Sequence, residues 1–254
     1  MPSTCLPTVL RRPNSRLLHR QAEDGGVLVY PKRSRVMSES NALTRAQLKT
    51  PKAAAIAGIV FSGLLIAIIW MLRRSIPADP LDPGAWLVTE PKTVTLALNL
   101  IPFAGVAFLW FIGVLRDRLG QQEDRFFATV FFGSALLFLA MLFAAAAITG
   151  TILLMAASAD PTELINSATF RFARATVYII LNVYAIKMAA VFMLSTSTLV
   201  VYTKIAPRWI AFVGYALALV LLIGSYYVSW SFIVLPIWIF LVSAYILLDN
   251  LGRR

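Results

Sequence analysis

The stretch AAAIAGIVFSGLLIAIIWML, residues 53–72, decides the fold of this chain. It is apolar apart from a single serine, and it carries no charge. About 20 apolar residues are the length that an α-helix needs to cross the roughly 30 Å hydrocarbon core of a bilayer. The stretch therefore predicts a transmembrane helix.

Five further segments have the same character. The chain has 254 residues, of which 59% are hydrophobic and 14% are charged, whereas soluble domains are about 45–50% apolar. No segment has the alternating polarity of a transmembrane strand. The predicted fold class is all-α, a polytopic membrane protein with a bundle of six transmembrane helices. The predicted spans cover 53–72, 94–115, 127–155, 175–203, 209–228 and 231–248.

The basic residues predict the orientation of these spans. Of the 23 Lys and Arg, seventeen lie in the segments on one side, 1–52, 116–126, 204–208 and 249–254, and five lie in 73–93 and 156–174 on the other. Because the more basic side of a membrane protein faces the cytoplasm, both termini are predicted to be cytoplasmic. We expect the membrane to be the bacterial cytoplasmic (inner) membrane. Arg73 and Arg74 are local exceptions, since they follow the first span on the predicted outer side.

Residues 1–52 are predicted to be a disordered basic tail. Pro, Gly, Ser and Arg are scattered through residues 1–36 without helical period, which is typical of disorder. A basic segment beside a membrane attracts anionic lipid headgroups. The net charge of +11 does not indicate nucleic-acid binding, because no basic patch interleaved with aromatic residues accompanies it. An alternative start at Met37 would remove residues 1–36 from the native protein.

Two outer segments carry local signals. Residues 73–93 contain four prolines, which favour an extended loop, and Trp86 within it is expected to lie at the lipid headgroups. The sequence Asp160-Pro161-Thr162-Glu163 combines an N-cap residue, a proline at the first helical position and an acid in the first turn. It predicts a helix start, and an unbroken helix from there would continue to residue 203.

Lys187 is the main candidate for a functional residue. It lies near the middle of the fourth span, where a lysine costs about 2.5–3.5 kcal/mol on insertion scales. No acidic residue lies inside any other predicted span to pair with it. By helical spacing it shares a face with Tyr184 and Thr198, and we expect this span, the most polar of the six, to face the bundle interior or water. The predicted contacts for a solute in a central cavity are Lys187, Tyr184, Asn182, Asn99 and Thr198.

These features predict a permease or channel-like protein for a small polar or anionic solute. The alternative is a scaffold, assembly or regulatory subunit of a membrane complex that transports nothing. No catalytic constellation, cofactor motif or metal-ligand set is predicted, since the only cysteine, Cys5, and the only histidine, His19, lie in the tail. A Ser–Lys pair of Lys187 with Ser134 or Ser195 is the one formal route to hydrolase chemistry. The oligomeric state is not indicated by the sequence.

Overall fold

The structure of the chain is a computed structural model. It describes residues 33–77, 79, 82, 84–117, 125–158, 160–203, 206–224 and 231–252. Within these ranges, side chains are described from residue 53 onward, except at 117, 125–128, 203 and 250–252. The chain divides into two units between Arg45 and Ala46, and the side-chain contacts below all belong to the second unit.

The described residues are almost entirely helical and contain no strand, which confirms the all-α prediction for this part of the chain. A π-helical segment, Ile180–Ala185, connects α6 to α7 and is called the π segment below. The α-helices are α1 Arg33–Ser75, α2 Trp86–Thr89, α3 Pro91–Asp117, α4 Arg125–Ser158, α5 Pro161–Asn166, α6 Ala168–Ile179, α7 Ile186–Thr203, α8 Arg208–Gly224 and α9 Ser231–Gly252.

Five of the predicted spans coincide with helical segments that are long and apolar enough to cross a membrane. The predicted span 209–228 corresponds to α8, a shorter apolar helix of 17 residues, and its last predicted residues, 225–228, lie outside the described part. The five long segments are Ala53–Ser75, Pro91–Arg116, Thr129–Ser158, Ala168–Tyr202 and Ser231–Asp249.

The first helix begins earlier than the sequence predicted. Its backbone is helical from Arg33, so residues 33–52 are not the disordered tail that we expected there. Ala, Leu, Gln, Arg and Lys are frequent between residues 43 and 52, and all of them have high helix propensity. The expectation for residues 1–32 lies outside the described residues. At the other end, α9 continues to Gly252, past the predicted end of the last span.

An aromatic cluster joins four helices in the core. Phe61 of α1 stacks on Phe108 of α3, with ring centroids 4.5 Å apart. Phe108 meets the edges of Phe138 of α4 and Phe192 of α7 at 5.7 and 5.2 Å. Phe131 of α4 lies 5.3 Å from Phe192. All five rings are buried, so this level of the bundle is densely filled.

The last two helices are held by close backbone approach. A side chain at Gly214 of α8 would collide with Ser197 of α7 and the Trp238 ring of α9. A side chain at Gly58 of α1 would likewise collide with Ser243 of α9 and Phe111 of α3. Small residues let helices approach closely in membranes, where association depends on packing.

The predicted helix start at Asp160 is confirmed, but the helix that follows is interrupted. Asp160 accepts a hydrogen bond from the Thr162 N–H at 2.9 Å and caps α5. At Ser167 the backbone becomes extended, and the Ser167 hydroxyl accepts a hydrogen bond from the Phe170 N–H at 3.1 Å to cap α6. The expectation of one unbroken helix to residue 203 is therefore wrong.

Candidate functional site

A cavity of about 250 Å³ lies at one end of the bundle. Its walls come from the C-terminal halves of α1, α4 and α6, the N-terminal half of α3, the π segment, and the first turn of α9. The loop that links α1 to α3 contributes the remainder of the lining. An apolar cavity of about 150 Å³ is large enough to bind benzene, so this one has room for a small ligand. The residues lining the cavity that the argument uses are Leu65, Arg73, Trp86, Ala145, Arg174 and Asn182.

Arg174 supplies a buried positive charge to this cavity. Only 8% of the residue is exposed. One terminal nitrogen, Nη2, donates a hydrogen bond of 2.7 Å to the backbone carbonyl of Asp79, 95 residues earlier in the chain. The Nε atom is buried and has no hydrogen-bond partner among the described residues. A buried donor without a partner costs free energy.

Trp86 lies beside Arg174 and is also buried. The guanidinium carbon of Arg174 is 5.9 Å from the centroid of the indole ring, within the range of a cation–π interaction. Trp86 is 3% exposed, so the expectation that it lies among lipid headgroups is wrong. It packs instead in a second hydrophobic cluster with Val94, Leu164 and Phe170. Its indole Nε1 has no hydrogen-bond partner among the described residues.

Gly84, two residues before α2, lies close to Phe170 of α6. Gly84 has φ +81°, a conformation that suits glycine, and a side chain there would collide with the Phe170 ring. The Gly84 N–H donates to Asp82 Oδ1 at 3.2 Å. Asp82 and Asp79 both interact electrostatically with the Arg174 guanidinium. Neither aspartate lines the cavity, and among the described residues its lining contains two arginines and no carboxylate.

Three uncharged polar side chains also line the cavity wall, namely Thr149, Tyr178 and Asn182. Thr149 of α4 donates to the Ala145 carbonyl at 2.8 Å, and Asn182 of the π segment donates to the Tyr178 carbonyl at 3.0 Å. These bonds tie the donors of Thr149 and Asn182 to their own helices. Asn182 is thus the one predicted solute contact that the structure brings to this cavity.

Lys187 lies elsewhere. Its side chain is exposed on the outer surface of the described chain, as are Tyr184 and Asn99. Of the two predicted surroundings, the bundle interior is therefore wrong for Lys187 and Tyr184 in the single chain, and contact with water stays a prediction. Helical spacing correctly placed the two residues on one face, but it could not tell which way that face points. Within a membrane both lipid tails and protein interiors are apolar, so periodicity does not separate them.

Thr198 has a structural partner. The Tyr215 hydroxyl of α8 donates to Thr198 Oγ1 at 2.7 Å, and the Thr198 hydroxyl donates to the Leu194 carbonyl at 2.9 Å. Thr198 does not line the 250 Å³ cavity. Its observed contacts link α7 to α8 rather than contact a solute.

The π segment lies between Arg174 and Lys187 in the chain. In a π-helix the hydrogen bonds run from residue i to i+5, and short π segments occur frequently at functional sites. The π segment of this chain includes Asn182 in the cavity wall and Tyr184 on the exposed surface of the bundle. No residue pattern in 180–185 predicted this change of helix type.

The residues that form the charged end of the cavity were not among the predicted contacts. Arg174 directly precedes the predicted span 175–203, and that position was its only sequence signal. Its partner Trp86 comes from a loop almost ninety residues earlier, and sequence spacing gives no hint of that pairing. The polar atoms of the two side chains therefore become a site only through the tertiary fold.

Other chemistry considered from the sequence finds no support in this geometry. Within the described ranges, no three His, Cys, Asp or Glu side chains lie close enough to hold a metal ion. Ser134 is buried and donates to the Phe131 carbonyl at 3.1 Å, while Lys187 is exposed. Ser195 lies eight residues from Lys187 on α7, or about 12 Å along the helix axis. Comparison of the chain with models of protein families, with curated proteins and with solved structures finds no match.

Proposed function

We propose that the chain crosses the membrane six times, with both termini in the cytoplasm and the cavity on the outer side. Phe232, in the first turn of α9, lines the same cavity as Arg174 of α6, whereas α7 runs away from that cavity to Thr203. The chain must therefore return between Thr203 and Phe232, and α8 is the helix described there. Its 17 residues extend about 25 Å, at the short end of the range for a membrane span.

We propose that the protein is a permease or channel-like protein for a small polar or anionic solute, and that the solute binds in the outer cavity. The observation that carries this proposal is the pair of donor side chains in the cavity lining, Trp86 and Arg174, with no carboxylate among the described lining residues. Both groups donate and neither accepts, and one carries a full positive charge. A carboxylate or phosphate oxygen has the matching chemistry.

The alternative role as an assembly subunit is favoured by a different observation. Lys187 is exposed near mid-span, where an unpaired charge facing lipid is costly. A neighbouring transmembrane helix with an acidic side chain at that depth would relieve the cost. In this role the cavity would hold a bound ligand without passing it across the membrane, and the basic tail would attract anionic lipid headgroups.

Single-cysteine labelling tests to which side of the membrane the cavity is open. On a Cys5→Ser background, Val177→Cys places a thiol in the cavity wall, and Lys187→Cys places one on the exposed surface of the helix bundle. A membrane-impermeant thiol reagent applied from the outside should label the Val177→Cys protein much faster than the Lys187→Cys protein. Labelling of Val177→Cys from the cytoplasmic side alone would contradict the proposed topology.

Binding and uptake assays test whether the cavity binds anions and whether the protein transports them. We expect anions to slow the labelling of Val177→Cys, and Arg174→Gln in the same background to remove this protection. Arg171→Gln is the matched control, because Arg171 is exposed one turn earlier on α6 and does not line the cavity. Proteoliposomes should then take up phosphate or alkyl phosphates in an Arg174-dependent way. Protection without any uptake would favour the assembly role.

A further inference from the structure

The cavity has two chemically different ends. Arg73, Trp86 and Arg174 line the end beneath the loop, whereas Leu65, Ile101 and Leu142 line the opposite end. Along α4 the lining extends from Leu142 to Ile152, ten residues or about 15 Å. The cavity is therefore elongated along the helices, with its positive charge at one end.

A small inorganic anion would leave most of this space unused. Its charge would be met by Arg174 and Trp86, but the rest of the wall is mostly apolar, and Thr149 and Asn182 each donate a hydrogen bond to a backbone carbonyl four residues earlier. An apolar wall contributes to binding when hydrocarbon lies against it. The length and the lining both match a ligand with a charged head and an apolar tail.

We propose that the ligand is an amphipathic anion with a single hydrocarbon chain. Its carboxylate or phosphate lies against the Arg174 guanidinium and the Trp86 side chain, and its hydrocarbon chain lies between α1, α3 and α4 toward Leu65 and Leu142. This inference rests on the proposed anion site and adds the class of molecule that occupies it. Small carboxylates and phosphates carry the same charged group as amphipathic ligands with these heads. The test must therefore distinguish binding of a small anion from binding of an amphipathic one.

Competition binding on the purified full-length protein in neutral detergent separates these sources. Labelled dodecanoate is the probe, and the competitors are dodecyl phosphate, dodecanol, acetate and inorganic phosphate. We expect dodecyl phosphate to compete as well as unlabelled dodecanoate. Dodecanol should compete at least tenfold less well, because it partitions similarly into micelles but lacks the charge. Acetate and phosphate should compete at least a hundredfold less well, because each CH₂ buried from water is worth about fourfold in affinity.

Substitutions at Arg174 and Ala145 test the binding of the charged head and of the hydrocarbon chain separately. Arg174→Gln should remove the advantage of dodecanoate over dodecanol, while Arg174→Lys should keep part of it. Ala145→Leu fills the cavity beside Thr149 and should weaken dodecanoate at least tenfold without changing the weak binding of acetate. The matched control is Ala147→Leu, because Ala147 is exposed on the same helix and lies outside the cavity lining. It should leave all affinities unchanged.

The outcomes distinguish failure of the amphipathic-ligand inference from failure of the proposed anion site. If acetate or phosphate competes as well as dodecanoate, and does so through Arg174, the cavity is a small-anion site and the amphipathic ligand is excluded. If dodecanol competes as well as dodecanoate, the charge plays no part and both proposals fail. The competitor series uses the unsubstituted protein, so it decides between these outcomes even if Ala145→Leu fails to fold.

Discussion

Arg174 and Lys187 lie on the same apolar segment, Ala168–Tyr202, and the fold treats them in opposite ways. Arg174 is buried, bonded to the Asp79 carbonyl and stacked near Trp86. Lys187 is exposed on the outer surface. A basic residue in a span can therefore be part of an internal site or part of an external surface. The contacts decide which, and depth in the membrane alone does not.

The largest expected difference between the two residues concerns insertion. In a reporter carrying only segment 168–202, Lys187→Leu should favour membrane insertion by about 3 kcal/mol, because lysine is most costly at the centre of a span and leucine is favourable. Arg174→Leu should have a smaller effect, since Arg174 lies near the end of the segment. Glycosylation of flanking acceptor sites measures the inserted fraction. Equal effects would mean that Lys187 is not near the bilayer centre.

In the folded protein, substitution of Arg174 should be the more harmful of the two changes. Arg174→Met should lower the free energy of unfolding by about 1.5–3 kcal/mol, the usual worth of a hydrogen bond to a charged group. Lys187→Met should leave it unchanged or raise it, because no described partner is lost. Denaturant-induced unfolding in mixed micelles measures both variants against the unsubstituted protein. A loss of stability in Lys187→Met alone would show that this lysine has a stabilising partner.

Trp86→Phe sharpens the description of the Arg174 end. It keeps an aromatic ring in the second hydrophobic cluster and removes the buried Nε1 donor, which lacks a described partner. The ligand-free protein should become more stable by about 1 kcal/mol, because an unsatisfied buried donor is lost. Binding of an anion should weaken at the same time. A decrease in stability would indicate that Nε1 is hydrogen-bonded in the free protein.

The smallest effect is expected on the α7–α8 side of the segment. Tyr215→Phe removes the hydrogen bond to Thr198 and should lower stability by about 0.6 kcal/mol, the average for hydrogen bonds between membrane helices. Thr198→Val should cost a similar amount, and the double substitution should cost less than the sum. Strict additivity in this cycle would mean that the two hydroxyl groups do not interact.

The sequence was sufficient for the features that depend on neighbouring residues. Five of the six apolar runs predicted as spans correspond to helices long enough to cross a membrane, and the order of residues at Asp160 predicted the cap of α5. Each of these features is decided within about 20 consecutive residues, so a local pattern carries the information.

The charged end of the cavity could not be predicted in the same way. Arg174 meets the Asp79 carbonyl across 95 residues, and Trp86 becomes buried only because α5 and α6 fold against its loop. The direction of the Lys187 face was equally hidden, since an outward face and an inward face have the same apolar composition in a membrane. The solute, the topology and the transport activity stay predictions.

The π segment also has a consequence for changes in chain length. A π turn holds one residue more than an α turn, so deleting one residue from Ile180–Ala185 could restore a continuous α-helix while leaving Arg174 and Lys187 on their present faces. The same deletion in the middle of α4 would rotate everything beyond it by about 100° and pull Ala145 and Ile152 out of their packing. This part of the fourth long segment is therefore the place where a single-residue deletion is expected to be tolerated.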